Sequence, residues 1–179
     1  MMLFMAMSMI DSPKDKRKVE QLYEKYHKLM YVLAFNILKH REDAEDVAIE
    51  AWEKVIRHLD KIKEIDCQET KSFLAILVER TAIDYYRKNK KRGKMQALID
   101  EYESSPFYAT TDTQLQNIEI MEIFRNLPKI YSDILLLYYV NGFTGKEIAE
   151  MFGIKEDAVM KRLSRGRKML RKEFGIDGR

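Results

Sequence analysis

Apolar residues fall at helical spacing through most of this chain. Leu22, Tyr23, Tyr26, Met30, Leu33 and Ile37 recur mainly at steps of three and four, the repeat of one helical face, and predict a first helix or helix pair. Ala44, Val47, Ala48, Ala51, Trp52, Val55 and Leu59 repeat the pattern behind Glu42 and Asp43, whose charge suits a helix N-terminus. Phe73, Ile76, Leu77 and Ile83 lead a third helix, beginning near Thr70, whose apolar face fades as it runs into the basic stretch 87–92. From Gly93 to about Gln116 the periodicity dissolves into Ser, Thr, Asp and Pro, the composition of a linker. Beyond it, Ile118, Met121, Phe124 and Leu127 form a short stripe stopped by Pro128. The run ILLLYYV reads as a helix closed by Asn141 and Gly142, because nothing nearby offers it a partner strand.

The stretch GKEIAEMFGIKEDAVMKRLSRGRKML carries the most local information. Thr144 followed three residues later by Glu147 is a capping box, in which each side chain satisfies a backbone N–H that a helix start leaves open. Ile148, Ala149 and Phe152 make an apolar face, Gly153 permits a sharp turn, and Ile154 fills the angle after it. A second helix starts near Glu156, with Val159, Leu163, Leu170 and Phe174 on one side and Lys161, Arg162, Arg165, Arg167, Lys168, Arg171 and Lys172 elsewhere. Such a helix-turn-helix lays its second helix in a DNA major groove, N-terminal residues over base edges and later cations on phosphates. A solvated basic face on a helical hairpin is the plainer reading of the charge alone. The box, the turn and the basic helix together favour DNA. Gly166 stands mid-helix, where it costs about 0.5–1 kcal/mol relative to Ala, and implies either a close approach or a bend.

Composition narrows the picture further. With 179 residues, 46% hydrophobic and 34% charged, and only 7 Gly and 3 Pro, the chain is expected to be all-α, in one domain or two small ones. A single cysteine, Cys67, excludes an internal disulfide, and His27, His40 and His58 lack metal-ligand spacing, so no metal or other cofactor is expected. The run MMLFMAMSMI has neither a preceding basic residue nor a following cleavage site, so residues 1–14 are expected to be frayed rather than a signal peptide. No segment reaches the roughly 20 apolar residues of a membrane span, and a cytoplasmic protein without membrane insertion is expected. The net charge is +3, but acid gathers in REDAEDVAIE and DEYE while base gathers in RKNKKRGK and KRLSRGRKMLRK. Two separated basic segments suggest two contacts with one polyanion.

These segments occur in a familiar order. LPKIYSDILLLYYVNGFTGKEIAEMFGIKEDAVMKRLSRGRKMLRKEF closely resembles the C-terminal DNA-binding domain of bacterial extracytoplasmic-function sigma factors. LYEKYHKLMYVLAFNILKHREDAEDVAIEAWEKV and SFLAILVERTAIDYYRKNKK resemble their N-terminal helical domain. The likeness implies two small helical domains, residues 15–92 and 117–179, joined by a flexible linker over 93–116. It implies an alternative sigma factor that is not an enzyme. Its partners would be core RNA polymerase, through the β′ and β subunits, and promoter DNA, with an anti-sigma factor as a further family-level partner. A stand-alone helix-turn-helix regulator is the alternative, and a metal-dependent nuclease a third.

By resemblance, Asp43, Asp46, Ile49 and Glu50 would form the polymerase-docking segment. The spacing of Asp43, Asp46 and Glu50 puts three carboxylates on one helical face, which a solvated acidic surface or a Mg²⁺ cluster would also explain. Ile49 stands where relatives commonly carry Gln. Arg80, Tyr85, Arg87, Lys88 and Lys91 would meet the minus-10 element, combining phosphate-seeking charge with an aromatic face for an unstacked base. The plainer reading of Tyr85 and Tyr86 is that at least one of them is core, and Arg80 replaces a frequent Asn. The loop KIKEIDCQET would hold a flipped-out base. Lys155, Asp157, Ala158, Lys161, Arg162, Arg165 and Lys168 would face the minus-35 element. Met160, Asp157 and Ala158 depart from the family's small, polar and Lys residues, which points to unusual or weak readout. In the family the two elements lie roughly 70 Å apart; a linker of about 24 residues reaches at most roughly 80 Å. DEYESS could mimic nucleic acid within polymerase or belong to a plain tether.

Overall fold

The structure is a computed structural model that describes residues 7–8, 10–89, 124 and 126–173. The chain divides into two units, residues 1–90 and 91–179. The described residues are helices and turns, with no strand among them. Lys91, the expected linker 93–116, and Ile118, Met121 and Phe174 of the apolar stripes lie outside the described residues.

In the first unit, α1 spans Pro13–Leu38 as one continuous helix rather than a pair. Its start is set by chemistry that the composition of the N-terminal run obscures: Pro13 brings a pre-formed φ, and the Ser12 hydroxyl accepts from the Asp15 N–H. Val19, Leu22, Tyr26, Met30, Leu33, Ala34 and Leu38 make its buried face. Lys39 ends it in the left-handed conformation (φ 54°), its N–H donating to the Phe35 carbonyl. α2 spans Arg41–Arg57 and is capped by the His40 ring, which accepts from the Asp43 N–H. Its buried face, Ala44, Val47, Ala48, Ala51, Trp52 and Val55, is the one the periodicity predicts.

A short 3₁₀ turn, Leu59–Lys61, leads to a loop over 62–67 and then to α3, Gln68–Asn89. This third helix corrects the expectation of a single apolar face. Every residue from Ser72 to Ile83 is buried, Glu79, Arg80 and Thr81 included, so α3 is the central rod of its unit, against which α1 and α2 both pack. A helix enclosed on every side has no amphipathic period to read.

In the second unit, α4 spans Lys129–Leu135 and continues as a π-helical turn, Leu136–Val140, so the ILLLYYV run is helical as expected. Gly142 follows in the left-handed region (φ 73°). Phe124 and Leu127 are buried ahead of it. α5 spans Gly145–Phe152 and α6 spans Glu156–Glu173, with Gly153 (φ 60°) between them in the conformation a side chain would resist. Ile148, Phe152, Val159, Leu163, Ile134 and Leu135 are all buried.

Candidate nucleic-acid and polymerase interfaces

The helix-turn-helix assembles as its sequence predicts. The Thr144 hydroxyl accepts from the Glu147 N–H at 3.2 Å, and the Glu147 carboxylate accepts from the Thr144 N–H at 2.7 Å, closing the capping box. The Ile154 N–H donates to the Ala149 carbonyl, tightening the turn. In α6, Val159, Leu163 and Gly166 are buried at steps of four and three. Gly166 therefore belongs to the packed stripe, which the sequence reading carried straight from Leu163 to Leu170. A Cβ at 166 would stand 2.8 Å from Leu135 Cδ1 and 3.3 Å from Tyr131 Cβ. Of the two explanations for this glycine, close approach of α4 to α6 is the operative one.

The opposite side of α6 is open. Lys155, Asp157, Lys161, Arg165 and Lys168 are exposed, whereas Ala158 and Arg162 are half-buried on the shoulders of the stripe. Arg167, farther round, donates to the Tyr139 hydroxyl at 3.3 Å. Glu156 and Met160 do something the sequence did not announce. Their side chains lie over Gly145, where a Cβ would stand 3.3 Å from both Glu156 Oε1 and Met160 Sδ. The Glu156 carboxylate thus sits at the first turn of α5, where the helix dipole favours an anion.

In the first unit, two of the acidic residues of α2, Asp43 and Glu50, have partners in the fold. The Tyr85 hydroxyl donates to Asp43 Oδ1 at 2.9 Å. Glu50 pairs with Lys54 at 2.9 Å, and Lys54 also donates to the Thr81 hydroxyl at 3.0 Å. Asp46 is exposed and Ile49 half-buried. Two residues from different predicted sites, Asp43 and Tyr85, are thereby brought together. Lys54 was missed altogether; its spacing of four from Glu50 was a legible signal, its reach to Thr81 was not.

Along α3, the expected DNA contacts separate by depth. Arg87 and Lys88 are exposed, Tyr85 and Tyr86 are both half-buried, and Arg80 is 4% exposed. Arg80 lies within the enclosed stretch, one turn before Asp84. Burial pushes the Asp84 carboxyl up, while Lys54, Arg87, Arg80 and Lys88 pull it back down, in that order. An arginine held inside with a carboxylate among its neighbours is not a surface contact for phosphate in this conformation.

The loop over 62–67 is gripped from behind. Lys18 donates to the carbonyls of Leu59 and Ile62. Tyr26 donates to Ile65 O at 2.9 Å and Thr70 to Glu64 O at 2.6 Å, while Lys25 pairs with Asp66 at 2.5 Å. Cys67 serves as the cap of α3, its sulfur accepting from the Thr70 N–H at 3.4 Å.

No helix among the described residues is long and apolar enough to cross a membrane. Residues 22–92 match the family model for sigma-70 region 2, and residues 117–170 match that for sigma-70, region 4. The RNA polymerase sigma factor SigV of Bacillus subtilis is 29% identical over 141 residues, covering 79% of this chain and 81% of its own. The ECF RNA polymerase sigma factor SigM of the same organism is 26% identical over 157 residues, covering 86% of this chain and 93% of its own. SigW, another ECF RNA polymerase sigma factor of that organism, is 25% identical over 172 residues, covering 89% and 90%. Two region models in the family's order, on an all-helical chain with a helix-turn-helix in the second unit, have one common explanation. The chain belongs to the sigma-70 family, in its extracytoplasmic-function group, and is an alternative sigma factor that directs transcription initiation.

Proposed function

We propose that this sigma factor binds core RNA polymerase through the acidic face of α2, reads the minus-35 element with residues 144–172 and helps open the minus-10 element with residues 62–92. The observation that carries the reading is the one-sided charge of α6. A buried stripe of Val159, Leu163 and Gly166 turns Lys161, Arg165 and Lys168 outward from a capped, glycine-turned helix-turn-helix. Cations so placed suit phosphates on either side of a major groove. At the minus-10 element, Arg87 and Lys88 supply the exposed charge.

Docking is assigned to the β′ and β subunits, and of the three candidate carboxylates Asp43, Asp46 and Glu50 it is Asp46 that is exposed to a basic partner. An anti-sigma factor is a further partner in this reading, supported by Val32 and Phe35, which are 49% and 37% exposed on α1. The protein acts in the cytoplasm and has no catalytic activity of its own. Run-off transcription with core polymerase tests the whole. The wild-type chain is expected to give a defined start site on a cognate promoter, and Arg162→Ala and Arg165→Ala to lower its yield. DNA binding with no core-dependent transcript on any promoter would instead favour a stand-alone regulator.

A further inference from the structure

The hydrogen bond between Tyr85 and Asp43 joins a tyrosine expected to stack on DNA to a carboxylate expected to meet polymerase. Three observations decide which side the tyrosine belongs to. Thr81 and Tyr85, four residues apart and so on one face of α3, both bond to α2, through Lys54 and Asp43 respectively. At about 100° per residue, Arg87 lies about 200° round the helix from Tyr85, so the exposed charge and the phenol point to different sides. The phenol also lies within the field of a second α2 carboxylate. Its proton is held more tightly than in water, chiefly by the bond to Asp43, with Asp46 contributing and an Asn89 hydrogen bond opposing.

We infer that Tyr85 is a positioning residue of the polymerase-docking face: its hydroxyl fixes the Asp43 carboxylate beside Asp46, so that α2 offers a basic protein partner a set pair of charges. The other Asp43 oxygen lies 3.5 Å from the His40 ring, so with the phenol bond in place both oxygens of the carboxylate have a neighbour; a partner that needs this rotamer must otherwise select it from the rest. The hydroxyl makes that selection within the free protein. The ring serves as the lever that carries the hydroxyl across the seam between α2 and α3.

This inference rests on the docking reading above, and the experiment separates the two. Full-length protein carrying a fluorophore is titrated with core RNA polymerase at low and high salt. A parallel titration of the free protein uses a single-stranded oligothymidine as the DNA probe. Tyr85→Phe, which keeps the ring and removes the hydroxyl, is expected to weaken core association about 5-fold at low salt, the scale of one ordinary hydrogen bond. Asp43→Asn should do the same, and the double variant should lose no more than the worse single one. The Tyr85→Phe deficit should shrink at high salt, where ionic docking is screened, which a defect confined to folding would not show. Oligothymidine binding should be unchanged in Tyr85→Phe.

Wild-type protein that fails to bind core removes the docking reading, and this inference with it. Wild-type binding matched by Tyr85→Phe removes the inference alone. Core binding intact in Tyr85→Ala with oligothymidine binding lost would return the tyrosine to DNA.

Discussion

Gly166 shows how much one missing carbon can position. Its helix is otherwise a good sequence for a helix, and replacing glycine by alanine at an open site would gain about 1 kcal/mol of propensity. Here a Cβ would press on Leu135, itself 1% exposed, and on Tyr131. Overpacking of that kind costs about 1–3 kcal/mol. Gly166→Ala is therefore expected to destabilise the second unit by a net of about 1 kcal/mol, measured by denaturant unfolding. Greater stability in the variant would show that α4 and α6 do not meet so closely. The sequence displayed the glycine but left close approach and bending equally open, because the neighbour that decides between them is about 31 positions away.

Tyr26 makes a different residue-scale case. Burial pushes its phenol from 10.0 up to about 12, with Asp66 and Cys67 adding to the shift. A raised pKa means that the stability this group contributes is whole below pH 10.0 and is lost as pH climbs towards 12. Tyr26, at about 12, is expected to titrate late in an ultraviolet phenolate titration, alongside Tyr85, whose phenol is also raised, and Tyr26→Phe should remove one phenol from the late part of the curve. The substitution should also cost about 1 kcal/mol through the lost bond to Ile65 O. A late amplitude of undiminished size in Tyr26→Phe would assign it to other tyrosines.

At the scale of elements, what was legible followed from local rules. The capping box, the glycine turn and the buried face of α2 each depend on residues within four positions of one another, and the fold repeats them as read. Thr144→Ala removes one partner of the reciprocal cap and is expected to destabilise the second unit by about 1 kcal/mol, visible as faster amide exchange in the first turn of α5. Unchanged exchange there would mean that packing alone holds the helix start. What was not legible came from across the fold. α3 lost its period because it is enclosed, and Arg80, a plausible cation for DNA by sequence, is enclosed with it. Asp43, Asp46 and Glu50 stand on one helix, and the pairing of Glu50 with Lys54 follows the i,i+4 rule, but the partner of Asp43 on α3 is one that no spacing rule supplies.

On the scale of the molecule, the division into acidic and basic segments matters more than the total charge of +3. Each phosphate neutralised by a lysine or arginine releases counterions, so promoter binding by the holoenzyme should fall steeply with salt. Arg165→Ala, exposed on α6, is expected to reduce the slope of log affinity against log salt by about 1. A slope equal to wild type would place Arg165 off the backbone. The division of the chain into two units lies close to the break in periodicity that the sequence displays. The residues 93–116 that carry that break, and Lys91 just before them, lie outside the described structure.

The loop over 62–67 has one more consequence. Its carbonyls at Ile62, Glu64 and Ile65 already accept from Lys18, Thr70 and Tyr26. The folding reaction itself has therefore met the entropy of shaping this segment, and under the proposed minus-10 role a nucleotide bound there would not have to supply it from its own binding energy. Three of the loop's backbone acceptors are thus spoken for from within the fold, and the segment is held in shape by bonds that any visitor would leave in place.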